Sequence, residues 1–142
     1  MVVKLSMDAV REWRQNFKEN QNLPFVTNYA YFSFSDPVST HGHDFAEFID
    51  KMNEFGAVGF ITAPIRHSKN DKYHTIDGAF EWKENNGVEF TQASFILLPT
   101  SSHAERVISF VDSDHIEKVW ALIPYCERES TGLCPKNCGA DI

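Results

Sequence analysis

Two stretches of this 142-residue chain carry side chains whose types and spacing could do chemistry. Ile65 to Thr75 holds Arg66, His67, Lys69, Lys72, Tyr73 and His74, and is the most basic stretch of an acidic sequence. Arg66, Lys69 and Lys72 can neutralise a phosphate, and Tyr73, with Tyr29, Tyr31 or Trp82, offers rings on which a base can stack. An aperiodic connection of this length between two strands is also where binding groups tend to sit. The second stretch is C-terminal, where Cys126, Cys134 and Cys138 are spaced C-x7-C-x3-C. Zinc takes four nitrogen or sulfur donors at tetrahedral corners, so three thiolates need a histidine, His115 or His103, to complete a site. Reduced thiols, or a transient disulfide between two of them, account for the same letters. No cofactor is expected otherwise.

The six histidines, His41, His43, His67, His74, His103 and His115, are the remaining reactive set. In an extended segment His41 and His43 project to one side, and with Asp44 they can form part of a metal site or an acid–base pair. A surface loop running into a helix cap explains the same letters and is the preferred reading. His67 and His74 invite comparison with two-histidine phosphodiesterases, but the repeated His-x-Thr or His-x-Ser pattern is missing. The sequence has no glycine-rich phosphate loop, no G-x-S-x-G elbow and no H-E-x-x-H. The reading therefore leans away from an enzyme. It expects a small acidic binding or inhibitor protein with Arg66, His67, Lys69, Lys72, Tyr73 and His74 as its contact residues. The alternatives are a histidine- or metal-dependent phosphoester hydrolase, and a regulatory or structural subunit that uses Tyr29, Tyr31 and Phe34.

The elements that must position these residues are clearest between 43 and 98. Phe45, Phe48, Ile49, Met52 and Phe55 form one apolar stripe at the helical period, with Glu47, Asp50, Lys51, Asn53 and Glu54 opposite. Asp44 and Glu47 resemble a capping pair, and Gly56 stands where a C-cap glycine would. Ala57 to Ala63, stopped by Pro64, reads as a strand buried on both faces. Asn85-Asn86-Gly87 supplies the positive φ angles of a tight hairpin turn between arms Ile76–Lys83 and Val88–Leu98. Ile96-Leu97-Leu98 loses the alternation of its strand, so that end is expected to be covered on both sides.

Upstream, Ser6 is a natural N-cap for a helix through about Glu19 with a narrower stripe of Val10, Trp13, Arg14 and Phe17. Phe25 to Phe34 reads as an aromatic strand. Downstream, Ser102 and Glu105 match a capping box for a helix from about His103 to Phe110. Val119 to Ile123 looks like a final strand, and pattern alone does not separate helix-then-strand from one longer helix over 103–123. The order α-β-α-β-β-β-α-β predicts an α+β fold. Its mainly antiparallel sheet has four to five strands, and two or three helices pack on one face. Residues 1–125 are expected to form one domain and 126–142 a polar cysteine-containing tail.

Composition narrows the partners. Thirteen Lys and Arg against 20 Asp and Glu leave a net charge of −7, which argues against bulk nucleic-acid binding and adhesion to anionic membranes. The N-terminal residues lack the apolar core of a signal peptide and no run approaches a membrane span, so a cytoplasmic location is expected. A protein partner or a nucleotide-like small molecule is the expected ligand, and self-association is compatible with the sequence. In size, acidity and abundance of Phe, Asn, Lys and Glu the chain resembles the accessory proteins of bacteriophages. That resemblance implies a protein that binds and neutralises a host component.

Overall fold

The computed structural model describes residues 2–25, 27–32, 44–71, 81–124 and 133–134. The elements are β1 (Val2–Ser6), α1 (Met7–Glu19), β2 (Tyr29–Ala30), α2 (Asp44–Glu54), β3 (Gly59–Ile65), β4 (Trp82–Asn85), β5 (Val88–Thr91), β6 (Ser94–Thr100), β7 (Phe110–Val111), β8 (Glu117–Leu122) and β9 (Leu133–Cys134). Five strands make the main sheet in the order β1-β8-β6-β3, with β7 on β8, and every pairing is antiparallel. β4–β5 and β2–β9 form two separate two-stranded sheets. The fold is α+β. No helix among the described residues is long and apolar enough to cross a membrane.

The strand alternation decides which helix covers which face. Val3, Leu5, Ala63, Ile65, Ile96, Leu98, Val119 and Ala121 pack with Val10 and Trp13 of α1. Their chain neighbours Val2, Leu97 and Leu122 point the other way and pack with Phe48 and Met52 of α2. Successive strand residues face opposite sides of the pleat, so the two helices lie on opposite faces of the sheet. This corrects the expectation of a single helix layer. It also explains why Ile96, Leu97 and Leu98 are all buried.

Both helices form where the sequence marks them. Ser6 Oγ accepts the N–H of Ala9 at 3.1 Å, while Asp8 in the first turn and Lys18 in the last suit the helix dipole. α2 ends in a Schellman motif: Gly56, at φ +72°, donates to Asn53 O and Ala57 donates to Met52 O. The histidines 41 and 43 and the Asp44 side chain lie outside the described residues.

Four expectations need correction. The element order does not open on a helix: β1 precedes α1 and pairs with β8 from Val2↔Leu122 to Ser6↔Lys118. β3 starts at Gly59, continues through Pro64, and leaves Phe60 43% exposed; it ends the sheet order, where a proline costs no ladder bond. The hairpin turn at Asn86 and Gly87 forms with both φ angles positive, but its second arm splits into β5 and β6, which join different sheets. The helix expected at 103–110 is only a 3-10 turn over Ser102–Ala104. Its short segment gains more from the sheet: Ser101 N–H donates to Arg106 O and Val107 bridges Thr100. Residues 117–122 are strand.

Candidate ligand-binding site

The basic segment begins as interior backbone. Arg66 and His67 are 4% and 2% exposed, and the chain there is held between α1 and β5. Arg66 N–H donates to Trp13 O at 3.1 Å, Thr91 N–H to His67 O at 2.9 Å and Lys69 N–H to Glu89 O at 3.0 Å. Asn16 Nδ2 donates to Arg66 O at 3.1 Å. Buried backbone groups must be paired, and these bonds pair them. Arg66 Nη1 donates to Thr91 O at 2.8 Å, its guanidinium lies 5.8 Å from the Phe17 ring, and burial pulls its pKa below the ordinary arginine value. Lys69 is exposed, with its ammonium 4.8 Å over Trp82. Lys72, Tyr73 and His74 lie outside the described residues.

Beside this segment stands a histidine–carboxylate pair. His67 Nδ1 is 3.7 Å from Asp71 Oδ2, and the Trp13 indole N–H donates to the same carboxylate oxygen. Trp13 meets the His67 ring edge-on at 4.6 Å. A base oriented by a carboxylate is the unit acid–base chemistry uses, yet the two side chains are 3% and 0% exposed. Here the unit locks α1 to the 66–71 segment.

Of the metal candidates, Cys134 stands in β9 opposite Tyr29, while Cys126 and Cys138 lie outside the described residues. His115 is an exposed turn residue at φ +62°. No group of three or more His, Cys, Asp or Glu side chains placed to hold a metal occurs among the described residues.

A cleft lies elsewhere. α1 covers only part of its sheet face, and between α1, β3 and β6 lies a cleft of about 340 Å³. Ile61, Ala63 and Leu98 supply its apolar sheet side, Met7 and Val10 line it from α1, and Val107 is also part of the lining. Arg11, Arg14, Gln15 and Lys18, polar residues of α1, complete it. The space falls within the size range of small-molecule sites. A second void, under α2 between Phe48, Met52, Pro99 and Trp120, is only about 10 Å³, room for about one water.

The electrostatics of the cleft are one-sided. Arg11 is compensated by Asp8 and Glu117, each at 3.2 Å. Arg14 Nη1 donates to the Pro64 carbonyl, which anchors the guanidinium at β3. Among the described residues Lys18 makes no ion pair and no carboxylate lines the cleft. The three cations recur at i, i+3 and i+7 on a helix the sequence announces, so the stripe was there to be found. The 65–75 segment is the more conspicuous because it adds two histidines and a tyrosine to its three cations.

Comparison with protein-family models, curated proteins and solved structures finds no match to this chain.

Proposed function

We propose that this protein binds a small, partly apolar molecule in the cleft between α1, β3 and β6. The observation that carries the reading is the cleft itself: about 340 Å³ of space beside buried Ala63 and Leu98. A pocket with an apolar lining and a few convergent polar groups is the usual form of a small-molecule site. The reading keeps the binding role expected from the sequence and moves the contact region to α1.

The experiment is an NMR titration of the ¹⁵N-labelled chain with 1-octanol, a neutral probe of about the right size. Saturable shifts are expected at Ile61, Ala63, Leu98 and Val107 and lost in Val107→Trp, which places an indole in the cleft from a half-buried position. Shifts scattered over the surface, or equal binding by the Val107→Trp protein, would overturn the proposal.

A further inference from the structure

We infer that the cleft ligand is an amphipathic anion, with a hydrocarbon body of roughly ten non-hydrogen atoms and a carboxylate, sulfate or phosphate head held by Arg14 and Lys18. This rests on the cleft being the binding site and names the class of molecule it takes.

The charge distribution is the first support. A chain of net charge −7 places three cations and no carboxylate among the described residues that line this cleft. Low-dielectric walls lined by one sign of charge focus the field and raise the local concentration of the opposite ion. Arg11 contributes little, because Asp8 and Glu117 already compensate it. The uncompensated positive charge is therefore that of Arg14 and Lys18. Gln15 Nε2 donates to Glu19 Oε1 at 2.8 Å, which ties that α1 carboxylate to a neighbour one turn back.

Geometry is the second support. Arg14 and Lys18 are four residues apart on one helix, so their stems rise from the same face about 6 Å apart, close enough for one oxyanion to meet both. The Pro64 carbonyl holds Arg14 by one of its five donors, which leaves a partly ordered fork whose other N–H groups can meet an anion. Such preorganisation lowers the entropy lost on binding. A flat nucleotide fits less well, since the described residues of the lining include no aromatic side chain to stack on a base. The ligand's apolar body would lie along Ile61, Ala63 and Leu98, with its head at the α1 side.

Calorimetric titration of the full chain with octanoate, octyl phosphate, 1-octanol and octyltrimethylammonium, each below its micellar concentration, tests this. Octanoate and octyl phosphate should bind one per chain and at least ~10-fold more tightly than octanol, the advantage of about one charge-assisted hydrogen bond. The cationic surfactant should bind least. Lys18→Gln, a change on an exposed side chain that leaves folding intact, should remove most of the advantage of the anions and leave octanol unaffected; Arg14→Gln should do the same. Equal affinity for octanol and octanoate would overturn the anionic head while leaving the cleft as a binding site. No binding by any of the four would overturn both. Association with anionic lipid vesicles in the absence of monomer binding would also overturn the inference, because it would mean that α1 meets a lipid surface.

Discussion

The two faces of the sheet are covered by helices of similar length and amphipathicity, yet one is sealed and the other holds a cleft and a buried polar network. On the α2 side, Phe45, Phe48, Ile49 and Met52 meet Leu97 and Leu122, and the residual void is about 10 Å³. On the α1 side, Val10 and Trp13 carry the packing and the cleft holds about 340 Å³. Stripe width accounts for the difference. α2 presents large apolar side chains across a broad face, whereas α1 places Arg11, Arg14 and Lys18 on the flank that faces β3. A narrow stripe leaves part of a sheet uncovered, and charged residues beside that gap give it a chemical preference.

Substitutions can break this contrast, beginning with the apolar side. Phe48 is fully buried, so Phe48→Ala should lower stability by about 3–5 kcal/mol in urea unfolding. A loss below about 1 kcal/mol would mean that α2 does not seal its face. On the α1 side the matching test is polar. Trp13→Phe keeps an aromatic ring, smaller than the indole, but deprives the Asp71 carboxylate of its indole donor, and should cost about 1–3 kcal/mol. In a double-mutant cycle with Asp71→Asn that cost should shrink, whereas strictly additive losses would separate Trp13 from the carboxylate.

Smaller effects sharpen the comparison at the helix ends. Gly56 closes α2 at φ +72°, and a Cβ there would meet nothing within 4 Å. Gly56→Ala should therefore cost only the left-handed backbone penalty, about 1–2 kcal/mol. Ser6→Ala removes the N-cap of α1 and should cost about 1 kcal/mol; a thermal melt that ranks it above Trp13→Phe would reverse the order proposed here.

The smallest effect is electrostatic and lies at the β7–β8 turn. Hydrogen bonds from Lys4, at 2.9 Å, then the Ser113 backbone and Lys118 lower the Asp112 pKa to about 2. A carboxylate depressed in the folded state contributes stability above its unfolded value near 3.9, and that contribution is lost as pH falls toward about 2. The urea midpoint should therefore fall with acid over that range less steeply in Lys4→Ala than in the parent protein. The difference should fade in 1 M salt, because the pair is partly exposed.

Much of the candidate site was legible in pieces. The α1 helix, its Ser6 cap and its cations at 11, 14 and 18 are all visible in the letters, because helical spacing puts them on neighbouring turns. The 65–75 segment has the more conspicuous letters, three cations together with two histidines and a tyrosine. Nothing local to Arg66 and His67 announces that they are interior. Their burial depends on Trp13, Asn16 and Thr91, which are distant in sequence.

What the sequence determined by itself is local: two amphipathic helices, the capping of α1 by Ser6, the Gly56 stop and the Asn86-Gly87 turn, each set by backbone preference or period within a few residues. Only the tertiary structure decided that the helices take opposite faces, that β1 pairs with β8, that β5 and β6 part company, and that a cleft remains beside α1. Those outcomes depend on which distant strand supplies a partner and on how much of a sheet one helix can cover, and neither quantity is encoded within a single turn or strand.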